Sequence, residues 1–300
     1  MLHLNTLMGN HPQAIPLKRG EITSSQIVFD FADVPVPHEA FKPFVRDLAF
    51  DVGELAIVTF LQALTYGKQL MLLPFVVSAR FHHGSLGYPV SKGPTSPKDL
   101  EGRTVGVRTY SQTTGVWVRS ILQHQFGVDP TKITFMTFDE SHLAEYRDPP
   151  NCILPPPGRK LDDMLVAGEL DAGIPIALAS TLMSDPRLST IVPNPAQAAK
   201  DWYAENKAPP INHMLVMRKS VAQAHPEAVR EIYRMFCAGR DAMPPLKEGE
   251  IDMLPYGIEK NRRGLELVIQ YAFEQGVIPR KFPVDELFAD AKRILGDACA

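Results

Sequence analysis

Apolar residues in this chain form some segments with the period of a β-strand and others with the period of an α-helix. Short apolar runs predict strands at 2–7 and 26–31. Residues 70–78, LMLLPFVVS, are continuously apolar, which is typical of a strand buried in a parallel sheet. Helical spacing occurs at 37–48 and 55–66. Because strands and helices alternate, the first third of the chain is predicted to be an α/β unit.

A second unit with the same plan begins near residue 90. Ser96 is predicted to cap a short helix that has Pro97 at its first position. A strand is expected at 104–107, and a helix from about 113 to 126 that Gly127 ends. The same order of strand and helix therefore predicts another α/β unit.

Two stretches of the chain echo each other. The sequence FDVGELA at 50–56 and the sequence ELDAGIP at 169–175 each place an aspartate at the start of a predicted strand. A helix is expected soon after each strand, and Pro175 would begin the second one. Ligands collect beyond the carboxyl ends of strands in open α/β sheets, so the two equivalent ends are expected to face one cleft.

The length of 300 residues favours two lobes over a single core. A strand at 211–219, INHMLVMRK, is expected to return the chain to the first lobe, where a helix near 226–238 packs on it. The fold predicted is α/β and two-lobed, with a ligand cleft between the lobes. Residues 1–90 plus 210–300 would form the first lobe, and residues 91–209 the second.

Composition narrows the class of protein. The hydrophobic fraction of 45% and the charged fraction of 22% are ordinary for a soluble globular protein. A net charge of −3 gives no general attraction to nucleic acid or to an anionic membrane. No apolar run reaches the roughly 18 residues of a membrane span, and the N-terminus lacks the pattern of an export signal. Three widely spaced cysteines are typical of a reduced, cytoplasmic protein.

Motifs for cofactors and metals are absent from the sequence. It contains no glycine-rich phosphate loop, no GxSxG elbow and no lysine motif for a cofactor, so none is expected. The HExxH and HxxxH spacings are also missing, and no metal site is predicted. The sequence leaves the oligomeric state open.

The sequence ARFHHGSLGY after the third apolar strand is a candidate site for an anion and for proton transfer. If it stays extended, Arg80 and His82 face one side, while Phe81 and His83 face the other. Arginine binds a carboxylate through two parallel hydrogen bonds, and histidine titrates near neutral pH. Ser85 completes the candidate residues of this segment.

A second candidate site lies where a predicted strand leads into a helix, at Tyr110, Ser111, Gln112, Thr113 and Thr114. Serine and threonine are good helix caps, and the N–H groups at a helix start attract anions. The same residues also cap many helices that bind nothing.

Five isolated residues are further candidates, and three of them have two interpretations. Glu54 is predicted at a helix start, as a first-turn acid or as a cleft carboxylate that hydrogen-bonds a substrate hydroxyl. His213 is either a core histidine or a catalyst. Trp117 is either core or a wall that stacks on an aromatic ring, and Pro175 could line the ligand site. Arg119 is expected to be a surface or structural charge.

The C-terminal segment at 256–288, YGIEKNRRGLELVIQYAFEQGVIPRKFPVDELF, has a periodic apolar face that predicts an amphipathic helix. The residues of that face are Leu265, Val268, Ile269, Ala272 and Phe273. The wording of the segment resembles the C-terminal signature of the 4,5-dihydroxyphthalate decarboxylase family. The family's F-D-x-x-E is matched at 50–54, and its F-R-H-S is matched in part at 81–84, where His82 replaces arginine and Gly84 replaces serine.

The resemblance implies a type II periplasmic binding-protein-like fold and a cofactor-independent decarboxylase of a hydroxylated aromatic carboxylic acid. Such a lyase would serve aromatic compound catabolism, such as phthalate degradation, and its partner would be a small aromatic carboxylate. His83 is expected to be the acid, with Glu54 or His213 polarising the hydroxyl. Arg80 and the helix start at 111–114 would hold carboxylates.

Two other functions fit the same fold. A non-enzymatic solute-binding protein would use the same cleft for a small aromatic or carboxylate ligand. An enzyme of thiamine-pyrimidine type would need a cysteine-rich or histidine-fixed signature that the sequence lacks. Fold alone cannot separate these functions, so the site must.

Overall fold

The structure is a computed structural model that describes residues 1–93, 95–176, 181 and 184–299. The chain divides into two compact units, each with its own sheet. Unit 1 consists of Met1–Arg80, Ala208–Phe273 and Val277–Ala300, and unit 2 consists of Phe81–Lys207 and Glu274–Gly276.

The strands and helices of the described residues have the following bounds. The strands are β1 (Leu2–Leu7), β2 (Ile27–Phe31), β3 (Val52–Ala56), β4 (Leu70–Ala79), β5 (Gly87–Pro89), β6 (Thr104–Val107), β7 (Thr134–Thr137), β8 (Cys152–Ile153), β9 (Ala172–Gly173), β10 (Leu188–Thr190) and β11 (Ile211–Arg218). The helices are α1 (Ile15–Lys18), α2 (Phe41–Asp47), α3 (Ile57–Thr65), α4 (Thr113–His124), α5 (Leu161–Val166), α6 (Pro195–Asn206), α7 (Lys219–Ala224), α8 (Pro226–Asp241), α9 (Ile258–Glu274), α10 (Val284–Leu287) and α11 (Ala289–Leu295).

Unit 1 is built on a five-stranded sheet with the order β2-β1-β3-β11-β4. Strand β1 pairs in parallel with β2 and β3, whereas β11 is antiparallel to both β3 and β4. The apolar run at 70–78 is therefore a buried strand, as predicted, but the prediction of parallel pairing is wrong. The returning strand β11 lies between β3 and β4, which places residues from both ends of the chain in one sheet.

Unit 2 is built on a six-stranded sheet with the order β10-β5-β9-β6-β7-β8. Strands β9, β6, β7 and β8 run in parallel, and β5 is antiparallel to β9 and β10. Ser96 caps the short 3-10 helix Pro97–Leu100, as predicted. The helix expected after Pro175 lies outside the described residues.

The predicted echo between the two units is confirmed at the start of β3 and β9. The Asp51 side chain accepts a hydrogen bond of 2.9 Å from the Asn5 N–H group, and the Asp171 side chain accepts one of 2.9 Å from the Thr104 N–H group. Each aspartate thus ties the start of its strand to the backbone of the parallel neighbour. The same contact, from an aspartate side chain to the backbone of the neighbouring strand, therefore occurs in each unit.

The helices confirm most of the periodic pattern and correct it at two places. Helix α9 buries Leu265, Val268, Ile269 and Ala272, but Phe273 is exposed. The segment predicted as helix at 55–66 begins later, since β3 continues to Ala56. No helix in the described part of the chain is long and apolar enough to cross a membrane.

Gly53 allows β3 to pack closely against β1. A Cβ atom at position 53 would lie 2.5 Å from the carbonyl oxygen of Leu7 and 2.9 Å from the Cβ of Leu7. Both contacts are shorter than side chains tolerate, and one involves rigid backbone. The absence of a side chain at residue 53 therefore sets the position of the next residue, Glu54.

Replacing Gly53 with alanine is expected to lower the free energy of unfolding by about 1–3 kcal/mol, because β1 and β3 must separate to admit the methyl group. Urea denaturation measures the change. Asp33→Ala, in the exposed loop after β2, is the control and should change stability by less than about 0.5 kcal/mol. Equal stability of the Gly53 variant and wild type would contradict the close packing.

Candidate active site

Glu54 lies within strand β3 and not at a helix start, which corrects the sequence-based prediction. Its side chain is 1% exposed. A buried carboxylate must be hydrogen-bonded or lose its charge. The interpretation of Glu54 as a first-turn helix acid is therefore wrong. The groups that hydrogen-bond Glu54 decide whether it keeps its charge.

Three donors surround the Glu54 carboxylate. Its Oε1 atom accepts hydrogen bonds from the Gly9 N–H group at 2.7 Å and from His11 Nε2 at 2.8 Å. Its Oε2 atom accepts one from His213 Nδ1 at 2.6 Å. Both carboxylate oxygens are thus engaged by protein groups. We name Glu54, His11 and His213 the two-histidine cluster.

The sheet register brings His213 to Glu54. In the antiparallel pairing of β11 with β3, His213 lies opposite Ala56 and Leu215 lies opposite Glu54. Residues two apart on a strand share a face, so Glu54 and His213 are diagonal neighbours on one face of the sheet. The His213 ring also packs edge-on against Phe41, with 5.2 Å between ring centroids. Strand pairing and an aromatic neighbour together fix the orientation of this imidazole.

His11 was not singled out by the sequence analysis. It lies in the turn between β1 and α1, and its carbonyl oxygen accepts hydrogen bonds from the N–H groups of Ala14 and Ile15. No periodic pattern marks a residue of this kind. Functional groups gather beyond the carboxyl ends of parallel strands. Strand β1 is parallel to β3, and its carboxyl end comes shortly before His11 in the sequence, so this rule would have indicated His11.

Charge in the two-histidine cluster is set by competition between burial and hydrogen bonding. Burial alone would raise the pKa of Glu54, but the hydrogen bonds and charges of His11 and His213 outweigh it and hold the pKa well below its ordinary value. Burial lowers the pKa of Lys18, while the charge of Glu54 acts to raise it, so Lys18 lies within electrostatic range of the cluster. Glu54 is therefore a carboxylate at neutral pH.

The histidines are the groups of this cluster that can exchange protons with a substrate. Glu54 has both oxygens occupied, whereas the His11 and His213 side chains are 26% and 17% exposed. Each imidazole uses one nitrogen for Glu54, which leaves Nδ1 of His11 and Nε2 of His213 for a substrate. A carboxylate that accepts from an imidazole fixes its tautomer and stabilises the imidazolium form. Both histidines can therefore accept and donate protons.

Metal binding has little support in the described residues. They contain no group of three or more histidine, cysteine, aspartate or glutamate side chains arranged to hold a metal ion. In the two-histidine cluster the nitrogens point at the carboxylate itself at hydrogen-bond distances. The donor set is thus engaged internally, and proton transfer is the chemistry that it fits.

Strand β4 ends before the segment that carries His82 and His83, and a turn begins at His83, so the extended conformation on which the predicted alternation depended does not continue through it. His82 and His83 are both 1% exposed. The His82 ring stacks near Trp117 with 6.4 Å between centroids, and the His83 ring meets Trp202 edge-on at 6.4 Å. Since Trp117 and Trp202 also contact each other, both histidines enter one aromatic cluster of unit 2. Trp117 has no exposed surface, which favours its role as a core residue.

His83 is buried beside a glutamine, in surroundings that favour its neutral form. Its Nε2 atom donates to Gln125 Oε1 at 2.9 Å, and Gln125 in turn donates to the Ala198 carbonyl oxygen at 3.0 Å. Burial lowers the pKa of His83, although the hydrogen bond with Gln125 acts to raise it. Its Nδ1 atom is buried with no hydrogen-bond partner among the described residues. This environment is less favourable for a general acid than that of His11, which is partly exposed and bonded to Glu54.

The other residues of this candidate segment have backbone roles. Arg80 is exposed at the end of β4, and its N–H group donates to the Pro210 carbonyl oxygen at 3.3 Å. Ser85 is half-buried and closes a turn by donating its N–H group to the His82 carbonyl oxygen at 3.0 Å. Arg80 belongs to unit 1, together with Glu54 and His213, whereas Ser85 belongs to unit 2.

Helix α4 begins at Thr113, as predicted, but its cap differs. The N-cap is Gln112, which makes no side-chain capping bond, and Ser111 instead shares a hydrogen bond of 3.0 Å with Ser141. Thr114 is half-buried in the first turn. Pro175 is buried just after β9, in the same unit as this helix start.

Three polar residues that meet beyond the ends of β6 and β7 were not predicted from the sequence. Arg108 follows β6, and its guanidinium donates to His142 Nε2 at 3.1 Å and to Asp139 at 3.4 Å. Burial lowers the pKa of Arg108, while Asp139 acts to raise it. The residues on both sides of this contact follow the carboxyl ends of the parallel strands β6 and β7. Groups that bind ligands are expected at such strand ends.

Comparison with solved structures defines the class of fold. The periplasmic aliphatic sulphonate-binding protein SsuA of Escherichia coli is similar with a TM-score of 0.59 and 12% identity, covering 95% of this chain and 97% of that one. The desulfurization enzyme DszB is similar with a TM-score of 0.55 and 11% identity, covering 98% and 99%. The chain thus has an α/β, two-lobed, type II periplasmic binding-protein-like fold, which binding proteins and an enzyme share.

Comparison of sequences gives the family. A 4,5-dihydroxyphthalate decarboxylase of Comamonas testosteroni is 29% identical over 236 residues, which are 75% of this chain and 71% of that protein. One of Pseudomonas putida is 30% identical over 213 residues, which are 67% of this chain and 81% of that protein. No protein-family model matches the chain. The chain belongs to the 4,5-dihydroxyphthalate decarboxylase family, and it is a decarboxylase.

Acid is expected to weaken the two-histidine cluster. The pKa of Glu54 is lowered from an ordinary value of 4.5, so the folded state binds this proton more weakly than the unfolded state does. The stabilisation is complete above about pH 4.5 and is lost as the pH falls through the pKa of the folded state.

Replacing Glu54 with glutamine is therefore expected to lower the free energy of unfolding at pH 7 by on the order of 3 kcal/mol. The difference from wild type should shrink as the pH falls below about 4.5, where wild type loses the same charge. Urea denaturation at a series of pH values measures both quantities. A difference that is constant from pH 7 down to the acid limit of folding would contradict the account of this cluster.

Proposed function

We propose that the protein decarboxylates a hydroxylated aromatic carboxylic acid without a cofactor, in the manner of 4,5-dihydroxyphthalate conversion to protocatechuate. The observation that carries the proposal is the buried Glu54 carboxylate with a partly exposed histidine on each oxygen. The names of the two relatives support the substrate class. Action in the cytoplasm on a small aromatic carboxylate remains part of the proposal.

The reaction needs acid–base groups more than it needs a cofactor. Loss of carbon dioxide directly from an aromatic ring would leave an aryl anion, which is too unstable to form at an ordinary rate. Protonation of the ring carbon that carries the carboxylate avoids this anion. A hydroxyl para to that carbon supplies the electrons when it loses its own proton. The site must therefore receive one proton at the hydroxyl and deliver one at the ring carbon.

The two-histidine cluster provides both functions in one hydrogen-bonded unit. We assign His213 to the hydroxyl, as the sequence suggested, and His11 to the ring carbon. Neutral His213 donates Nδ1–H to Glu54 and can accept the phenolic proton at Nε2. Protonated His11 donates Nε2–H to Glu54 and can release the proton at Nδ1. Glu54 does not touch the substrate and keeps both rings oriented, since its negative charge stabilises whichever imidazolium is present.

His83 is the competing candidate for the acid. Its assignment from the sequence stays a prediction, and its burial, its lowered pKa and its bond to Gln125 count against it. His82, beside it, is buried against Trp117. The proposal therefore moves the proton donor from the segment after β4 to the turn after β1.

Carboxylate binding is proposed for both units. In unit 1 the exposed Arg80 carries a guanidinium suited to a carboxylate. In unit 2 the turn from Tyr110 to Thr113 leads into a helix of twelve residues, whose first N–H groups and dipole favour an anion. Arg108 adds a positive charge at the same strand ends.

The proposed function is tested by supplying aromatic acids that differ in one group. Release of carbon dioxide is expected from 4,5-dihydroxyphthalate, with protocatechuate as product, and not from phthalate, which lacks the hydroxyl that supplies electrons. Carbon dioxide is measured in a coupled assay and the product by chromatography. Tight binding of 4,5-dihydroxyphthalate with no carbon dioxide released would contradict the proposed substrate and favour a binding role for this ligand.

Replacing His11 or His213 with asparagine is expected to lower turnover by about 100- to 10,000-fold, because positioned acid–base groups contribute that much. His83→Asn is the matched control and should lose less than about tenfold. Affinity for substrate should change much less than turnover, since proton transfer occurs in the transition state.

The pH dependence of these variants distinguishes the two roles. Loss of the base should remove the acid limb of the kcat/KM profile, and loss of the acid should remove the alkaline limb. His213→Asn is expected to remove the former and His11→Asn the latter. Equal losses in His83→Asn and His11→Asn would return the acid to His83.

A further inference from the structure

Arg119 is a buried cation in unit 2 beneath the start of helix α4. It was expected to be a surface or structural charge, but only 1% of its surface is exposed, so the prediction of a surface position is wrong. It lies on α4, two turns after Thr113. A buried guanidinium is costly unless its donors are satisfied, so its partners indicate what it does.

The first group of partners is the turn that precedes the helix. Arg119 Nη2 donates to the Tyr110 carbonyl oxygen at 2.7 Å. Its guanidinium carbon lies 3.8 Å from the centroid of the Tyr110 ring, and Phe135 approaches the guanidinium at 5.3 Å. Arg119 therefore holds both the backbone and the side chain of Tyr110, the residue that opens the turn into α4.

A glutamine holds the guanidinium from the other side. Arg119 Nε donates to Gln275 Oε1 at 2.7 Å. Gln275 in turn donates to the Val116 carbonyl oxygen at 3.0 Å and to Ser120 Oγ at 2.7 Å. These bonds fix the orientation of the arginine head group, because its planar fork can satisfy Tyr110 and Gln275 in one position.

The third nitrogen, Nη1, faces the first turn of α4 and is not paired. It has no hydrogen-bond partner among the described residues. It would lie 3.1 Å from a Cβ atom on Gly115, so the glycine leaves room for it beside the helix start. An unpaired, buried donor aimed at the first turn is a second observation, independent of the helix dipole, that points to an anion there.

Neighbouring groups leave this positive charge poorly compensated. No carboxylate forms an ion pair with Arg119 in the part of the chain that the structure describes. Asp148 is near enough for Arg119 to lower its pKa, although burial is the larger influence and raises that pKa overall. Burial also raises the pKa of the Cys152 thiol to about 12, so it stays neutral. The unit thus retains a buried cation whose charge no bound anion of the protein cancels.

We propose that Arg119 is a positioning residue for carboxylate binding: it shapes the turn from Tyr110 to Thr113 and adds positive charge beneath the start of helix α4. The proposal rests on the proposed function in taking an aromatic carboxylate as the ligand. The charge acts through the turn, whose N–H groups contact the carboxylate. Burial of Arg119 keeps water from screening it, so its effect at the turn is larger than that of a surface arginine.

Replacement of Arg119 by methionine separates this role from a structural one. Methionine fills a similar volume without charge, but it leaves Gln275 Oε1 and the Tyr110 carbonyl oxygen without their donor, which lowers stability. Arg119→Met should therefore fold but unfold at a somewhat lower temperature than wild type. Its affinity for phthalate, measured by titration calorimetry, should fall by on the order of tenfold, whereas affinity for catechol, which has no carboxylate, should stay within about twofold.

Two matched variants check the sign of the effect. Arg187→Met removes an exposed arginine of the same unit that pairs with Asp185, and phthalate affinity should stay within about twofold. Asp148→Asn removes the nearby negative charge, and phthalate affinity should rise.

Should Arg119→Met be too unstable to purify, two milder variants replace it. Arg119→Lys keeps the charge but loses the planar fork of donors, and Gln275→Leu removes the glutamine that orients the guanidinium. Both should weaken phthalate binding by less than Arg119→Met would.

Unchanged phthalate affinity in Arg119→Met would overturn the proposal. Equal losses of phthalate and catechol affinity would also overturn it, because they would indicate general damage to the unit. These binding measurements do not depend on turnover. A wild-type protein that releases no carbon dioxide would therefore refute the proposed function, while the role of Arg119 would still be decided by the titrations.

Discussion

Burial of the Glu54 carboxylate is the constraint on which much of unit 1 depends. A carboxylate without solvent keeps its charge only if donors replace the lost water. The donors come from segments far apart in the sequence, Gly9 and His11 after β1 and His213 on β11. Strand β3 must therefore lie between β1 and β11, and the close contact at Gly53 fixes its depth. The sheet order that closes the core thus also assembles the two-histidine cluster.

The buried charges of the two units differ in sign and in how completely they are hydrogen-bonded. In unit 1 the negative charge of Glu54 is met by hydrogen-bond donors on both of its oxygens. In unit 2 the positive charge of Arg119 is met by a carbonyl oxygen, a glutamine and an aromatic ring, and one nitrogen has no partner among the described residues. A satisfied carboxylate suits proton transfer, because the charge stays while protons move around it. An incompletely satisfied cation suits the binding of an anion supplied from outside.

Local features were predictable from the sequence, and features that depend on register were not. Strands β1 and β11 and the start of α4 follow from short-range periodicity, as does the aspartate at the start of β3 and β9. The antiparallel pairing of β4 did not follow, because a continuous apolar run looks the same in either kind of sheet. His11 carries no periodic signal and becomes functional only when β1 lies beside β3. The paired burial of His82 and His83 did not follow either, because it depends on Trp117 and Trp202, which lie far along the chain.

The site explains how a fold shared with binding proteins can support a decarboxylase. A binding protein needs groups that recognise the ligand in one state, and fixed N–H donors and cations are enough for that. Decarboxylation of an aromatic ring also needs groups that change protonation during turnover and return to the starting state. A lone histidine on a strand would do this inefficiently, because nothing would hold its tautomer or compensate its charge. Glu54 can hold the tautomer of both His11 and His213 and compensate the charge of either ring. In the proposed mechanism the buried carboxylate, more than either histidine alone, thus gives this end of the sheet its capacity to transfer protons.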